Sequence, residues 1–418
     1  MGKVLGIIAE YSPFHNGHLY HLVESKNRAG AEAVICVISG NFMQRGIPSV
    51  IDKWTKTEMA LLCGADLVIE LPTVYSISSA ENFAQGAIKI LNSLKLIDTI
   101  SFGSETSDIQ ILDKFASVLY QEPKEYVSIL NHELSKGFSY PKARENALLM
   151  YLNDIRKYAN VLSSPNNILG IEYLKALKRL KSPITPMTIK REKVGYHDNS
   201  TVNGFASATA IRKMITQEKF KEIQNVVPEN IYSILEEKIK KGNTVPGIER
   251  FEKEILYTFR KMSLSQIAEL PDVNEGLEHS IKKAASSCNN IKDFITIVKS
   301  KRYTQTRIQR IALYALLGIT KKDIAISQKV TPYIRVLGFN SIGKHLISEI
   351  NLLNPKLDII VSVKRYLDII SNKNLKRLLE TDILATDMYT LGYEYDSWAN
   401  LDFTKKVVEL KDSPQFIE

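Results

Sequence analysis

Val4-Leu5-Gly6-Ile7-Ile8-Ala9 runs directly into Glu10-Tyr11-Ser12-Pro13-Phe14-His15-Asn16-Gly17-His18 and then Leu19-Tyr20-His21-Leu22-Val23. The apolar run from Val4 to Ala9 has the character of a strand buried on both faces, and the spacing after His18 suits an opening helix. Two imidazoles three positions apart therefore sit on one side of a first helical turn, where free backbone N–H groups and the helix dipole favour an anion. Gly17 keeps that turn free of a Cβ, so a phosphate can approach the backbone. His21 continues the three-residue step but rotates off the face shared by His15 and His18, which makes a three-histidine zinc site a poor fit.

Outward from this turn, strand-like segments at Ala33–Ser39, Asp66–Leu71, Thr99–Gly103 and Ile184–Arg191 alternate with helical patterns near 18–29, 53–63, 79–95 and 107–120, followed by a longer helical excursion to about 180. Apolar strands separated by helices predict an α/β fold, a Rossmann-like doubly wound parallel sheet. Ligands in such sheets bind beyond the carboxyl ends of the strands at the topological switch point. The histidine turn and Gly103 both fall at such ends. So do Asn41 to Arg45 and Asp52-Lys53, which follow the second strand and are expected to face the same crevice; the Gly40–Gly46 loop either shapes a pocket there or simply turns the chain.

His15-Asn16-Gly17-His18 resembles the "HIGH" signature of the nucleotidyltransferase and class I aminoacyl-tRNA synthetase superfamily. Ser207-Ala208-Thr209-Ala210-Ile211-Arg212 resembles that superfamily's second motif, with Ser207 or Thr209 able to cap a helix and Arg212 one turn in. Ala208 stands where the pattern often has Ser. A larger set is similar to the bacterial tRNA(Met) cytidine acetate ligase family: Glu10 to His18, Ser39 to Gly46, Gly64 to Pro72, Ser101 to Glu105, Pro165 to Gly170 and Lys301 to Arg307. The resemblance implies an enzyme that adenylates acetate with ATP and acetylates the wobble cytidine of elongator tRNA(Met) to N(4)-acetylcytidine. It implies His15, His18 and Arg212 as catalytic groups, with Arg212 on the β and γ phosphates through bidentate contact. ATP is then expected along Ile7, Ile8, Ala9, Glu10, Tyr11, Ser12, Pro13, Phe14, His15, Asn16, Gly17, His18, Leu19 and Tyr20, and against Gly103, Asn166, Asn167, Arg191, Ser207 and Thr209. Magnesium is expected on the phosphates, with no dedicated protein metal site. Two other readings stay open: transfer of a nucleotidyl group to a small phosphate or coenzyme precursor, and a non-catalytic RNA-binding protein on the same fold.

The chain has 418 residues, a formal charge of +9 and three scattered cysteines, Cys36, Cys63 and Cys288. That length suits two or three domains, here an adenylation domain over 1–216 and a mainly helical, basic tRNA-binding region over 217–418. No apolar run reaches the ~18 residues of a membrane span, and the cysteines form neither a metal pattern nor a disulfide framework, so a cytoplasmic protein without membrane or DNA partners is expected. The basic balance suits a polyanion such as tRNA. Lys301, Arg302, Tyr303, Arg307 and Arg310 put cations beside an aromatic, as RNA contact requires, although a solvated helix start reads the same.

Past 216, helical spacing runs near 217–241, 247–262, 263–270, 274–286, 291–300 and 304–317, before a βαβ-like stretch of Tyr333–Phe339, 341–351 and Leu357–Val363. Gly338 to His345 has Walker A spacing, but His345 stands where a hydroxyl must reach magnesium, so a glycine-bounded turn into a helix is expected. Lys261-Met262-Ser263-Leu264-Ser265 imitates a synthetase KMSKS loop with Leu264 in place of its second lysine, and reads as a helix boundary. His197 and Asp198 lie in a polar loop just before the second motif, either touching substrate or simply solvated.

Overall fold

The computed structural model describes residues 2–153, 158, 161–191, 204–274 and 276–411; His197 and Asp198 lie outside them. Among the described residues ten strands form: β1 Lys3–Ala9, β2 Ala31–Ser39, β3 Phe42–Met43, β4 Ile47–Pro48, β5 Leu67–Leu71, β6 Thr99–Ser104, β7 Thr185–Lys190, β8 Ile334–Phe339, β9 Ile359–Ile360 and β10 Val408–Glu409. The main sheet runs β10-β8-β5-β2-β1-β6-β7, with β9 also on β8 and β3–β4 a separate hairpin. From β5 to β7 every pairing is parallel, and the order reverses between β1 and β6. That reversal is the switch point of a doubly wound sheet, so the crevice lies over the ends of β1 and β6.

Side-chain alternation explains why the sheet is covered on both sides. Leu5 and Ile7 of β1, with Val34, Cys36 and Ile38 of β2, meet Leu22 of α1 (Asn16–Ala29), Met59 and Ala60 of α2 (Lys53–Leu62) and Ile211 of the Ala208–Thr216 helix. Val4, Ile8, Ile35 and Val37 point the other way, into the helices Ala80–Ser93, Ile109–Gln121 and Pro165–Leu180. With both faces buried, the strands need no polar positions, which is why they read as continuous apolar runs.

The later region is mostly helical but differs from its periodicity in two places. The 217–241 segment divides into Phe220–Gln224 and Glu229–Lys240 because Pro228 stands at the second helix's N-terminal boundary, where it cannot continue a preceding helix. The βαβ-like stretch does not stand apart: β8 pairs antiparallel with β5, Leu67 opposite Phe339, and so extends the first sheet. A buried ion cluster fixes this join. Lys53 Nζ lies 2.9 Å from Glu70 and 2.9 Å from Asp402, and Arg335 Nη2 lies 3.1 Å from Asp402.

Both imitation motifs take the form expected of helix starts. Asn340 caps the Ser341–Leu353 helix by accepting from Gly343 N at 2.9 Å, and a Cβ on Gly343 would overlap the Asp66 carbonyl. Gly343 therefore serves close packing. Ser263 forms a capping box with Gln266 at the start of Leu264–Ala268.

Candidate active site

β1 ends in a sharp turn. Tyr11 adopts a left-handed conformation (φ 47°), and its ring packs in the core against Phe14 with centroids 4.7 Å apart. This buried aromatic pair fixes the approach to α1. His15 then caps the helix, its Nδ1 accepting from Gly17 N at 3.1 Å. That bond assigns the proton to Nε2, leaving His15 one further donor. A Cβ on Gly17 would come within 3.0 Å of the His15 ring, so the glycine accommodates the cap as well as any phosphate.

The His15 and His18 rings stack with centroids 3.6 Å apart. Burial, then the Arg191 charge, lowers the His15 pKa to about 3; burial followed by His15 and Arg191 holds His18 well below its ordinary value. Both act as neutral imidazoles at physiological pH. His18 Nδ1 is buried without a hydrogen-bond partner. His21 turns away to Ser101 Oγ at 3.2 Å, apart from the stacked pair.

Arg212 enters from the Ala208–Thr216 helix, which Ser207 caps by accepting from Ala210 N at 3.1 Å. Thr209 faces solvent. Arg212 Nη2 donates to Ser12 Oγ at 3.2 Å and lies 3.6 Å from Met43 Sδ, while its Nε is buried and unpartnered. Burial, reinforced by Arg45, lowers its pKa to about 10. An orphan imidazole nitrogen and an orphan guanidinium N–H thus flank one turn, a costly arrangement without a ligand.

On the β6 side, Asn167 is buried and accepts from Glu105 N (3.0 Å) and Thr106 N (3.1 Å). Asn166 instead joins Glu105 Oε1 (2.7 Å) to Arg191 Nη1 (2.8 Å). A Cβ on Gly103 would lie 2.9 Å from Arg191 Cγ, so the glycine admits the arginine across the strand end.

Not every predicted residue reaches the crevice with its side chain. Ile7 and Phe14 are wholly buried and Ile8 nearly so, Pro13 is buried, and Tyr20 faces outward against Phe205; Ala9 and Leu19 pack at the edge of the core. Asn16 ties Gly204 O to the turn at 2.9 Å. Glu10 accepts from Gln44 N at 2.8 Å, bringing the β3–β4 hairpin over the strand ends. Asp52 caps α2, and Lys53 points into the buried ion cluster instead of the crevice, because its carboxylate partners lie beneath the sheet's ends. Arg307 and Arg310 turn inward: Arg307 Nε donates to the Asp272 carbonyl at 2.9 Å and Arg310 Nη2 pairs with the Asp272 carboxylate at 2.8 Å. Tyr303 Oη donates to Asn274 O at 3.0 Å, while Lys301 and Arg302 remain exposed.

Sequence reasoning passed over Lys56. Its ammonium is fully buried and donates to the carbonyls of Glu10 (3.1 Å), Ser39 (2.6 Å) and Gly40 (2.6 Å), binding the ends of β1 and β2 together. Burial lowers its pKa to about 7. Lys56 shares α2 with Lys53, Thr55, Thr57 and Glu58, so no local signal separates it from a surface lysine.

The HIGH Nucleotidyl Transferase family matches residues 2–402. The chain is 47% identical over 98% of its length to the whole of the tRNA(Met) cytidine acetate ligase of Caldanaerobacter subterraneus subsp. tengcongensis. It is 44% identical over 97% of its length to 99% of the ligase of the same name from Acetivibrio thermocellus. The crystal structure of Thermotoga maritima TmcAL superposes with a TM-score of 0.94 at 34% identity, covering 98% of this chain and 100% of that one. The form of that protein bound with alpha-thio ATP superposes with a TM-score of 0.91 at the same identity, covering 98% and 100%.

Proposed function

The chain belongs to the tRNA(Met) cytidine acetate ligase family, and from that premise we infer how its own residues carry the reaction. The enzyme uses ATP to activate acetate and transfers the acetyl group to the wobble cytidine of elongator tRNA(Met). In the first step an acetate oxygen attacks the α-phosphorus, the bond to the β-phosphate oxygen breaks, and acetyl-adenylate and pyrophosphate form. The His15 Nε2–H and His18 donate to charge growing on the α-phosphate and the leaving group. Neutral imidazoles suit this role, because a preorganised donor needs no net charge to stabilise one. Arg212 meets the outer phosphates; Gly17 and the α1 N-terminus bring backbone N–H groups to the same anion.

The observation carrying this assignment is the pair of buried unpartnered groups, His18 Nδ1 at the start of α1 and Arg212 Nε from the Ala208–Thr216 helix that contacts Ser12. A triphosphate oxygen satisfies donors of that kind. Asn166, with Arg191, borders the adenosine side, whereas Asn167 holds the Glu105 turn. Magnesium would enter on the nucleotide phosphates and neutralise them, as it is usually bound through substrate phosphates with few protein ligands. In the second step the cytidine 4-amino nitrogen attacks the acetyl carbonyl, the anhydride C–O bond breaks, and AMP leaves as the amine loses a proton. Proximity supplies much of this step's acceleration.

Among the described residues no helix is long and apolar enough to cross a membrane. The three cysteines are free and buried, and we place the protein in the reducing cytoplasm with tRNA and acetate as partners. Acetate-dependent exchange of labelled pyrophosphate into ATP tests the first step; exchange stimulated by no carboxylic acid contradicts it.

A further inference from the structure

The Arg307 and Arg310 guanidiniums expected to meet RNA are occupied by Asp272. A different surface connects through hydrogen bonds to the turn that carries Ser12. The chain has two tryptophans: Trp54 is 6% exposed, whereas Trp398 is 68% exposed, as is Tyr395 three residues earlier. Two large rings left in water on one short loop are unusual for a surface without a partner.

The loop is held, not frayed. Glu394 N donates to Gly242 O at 2.9 Å, Asn400 N to Asp387 Oδ1 at 2.7 Å, and Thr390 Oγ1 to Trp398 O at 3.2 Å. Gly242, at φ +67°, lets the Tyr395 ring lie against the backbone; a Cβ there would fall 2.6 Å from Tyr395 Cδ2. One part of the ring is thus seated and the rest presented.

Hydrogen bonds connect this loop to the catalytic turn. Tyr389, in the last turn of the Lys373–Thr390 helix, donates to Ser49 O at 2.9 Å; Val50 N donates to Ser12 Oγ at 2.9 Å; and Arg212 Nη2 donates to the same oxygen at 3.2 Å. Lys240 and Lys241 precede Gly242, and Lys405 lies close enough to Asp52 to help lower its carboxyl pKa. Glu394 and Asp396 are exposed among these lysines, so the rings distinguish the surface more than its net charge does.

We propose that Trp398 and Tyr395 form a stacking surface for unpaired bases of the RNA substrate, beside the entrance to the acetylation crevice. The proposal rests on the ligase reading above. Single-stranded loops are recognised by splaying bases onto aromatic rings, with cations on the flanking phosphates, and a cytidine acetylated on its 4-amino group must be unpaired to react.

The test compares wild type with Trp398→Leu, Tyr395→Leu and Trp398→Phe, using an unmodified elongator tRNA(Met) transcript. We expect the transcript to quench Trp398 fluorescence and Trp398→Leu to raise the tRNA KM about tenfold or more, the scale of one lost base stack. Trp398→Phe should restore most of that loss, and acetate-dependent pyrophosphate exchange should stay within about twofold of wild type in every variant, since none of these residues touches the nucleotide turn. An unchanged tRNA KM in both leucine variants overturns the proposal, as does a loss of exchange at unchanged tRNA affinity. Wild-type protein that exchanges pyrophosphate but acetylates no RNA contradicts the ligase reading instead, and quenching by the same transcript still decides the surface.

Discussion

His15 and His18 differ within one turn: the first completes the helix cap through Nδ1 and keeps its proton on Nε2, while the second has an unpaired buried nitrogen. His18→Ala should lower kcat for acetate-dependent exchange by about 10²–10³, the usual effect of losing one preorganised donor, with the fold intact by circular dichroism. Asn166→Ala should raise the ATP KM, whereas Asn167→Ala should mainly lower thermal stability by freeing the buried Glu105 turn, which thermal melts separate from kinetics. The histidines also set an acid limit. His15 is lowered to about 3, against an ordinary value near 6.5, so the unfolded chain takes up a proton that the folded site refuses. Stability from this group is complete above about 6.5 and declines as pH falls toward 3, and His15→Gln should flatten that slope in pH-resolved denaturation.

At the scale of elements, the turn from β1 to α1 was legible because glycine, histidine spacing and the apolar run each announce a local geometry. The antiparallel return of β8 was not, because pairing between residues some 270 positions apart leaves no local pattern: Leu67 opposite Phe339 is a long-range fact. The same limit hid Lys53, whose partners come from β5 and from Asp402 near the far end of the chain. Lys53→Met leaves Glu70 and part of Asp402 buried without their cation and should cost about 3–5 kcal/mol in chemical denaturation. The glycine-bounded turn after β8 offers a contrast. Gly343→Ala should destabilise the fold by forcing the Asp66 carbonyl away, while Lys344→Ala should leave the ATP KM unchanged. A raised ATP KM in Lys344→Ala would instead assign a phosphate role to that turn.

Across the whole molecule, the sheet puts the histidine turn at the β1/β6 switch point, where we propose the ATP chemistry, and the later region folds back onto its far edge. The turn we propose for adenylation was legible in sequence because its residues are contiguous. An RNA face is harder to read from sequence, because a basic run looks alike whether its arginines are free or, like Arg307 and Arg310, already meet an internal carbonyl and carboxylate. Exposure of Trp398 likewise depends on packing that no local spacing encodes. The central claim is that one crevice both adenylates acetate and delivers the acetyl group to RNA. The most direct measurement is mass spectrometry of nucleosides from unmodified elongator tRNA(Met) incubated with the protein, magnesium-ATP and isotope-labelled acetate. Labelled N(4)-acetylcytidine that requires ATP and disappears in His18→Ala is the predicted result; RNA that stays unlabelled while ATP is cleaved to AMP and pyrophosphate would contradict it.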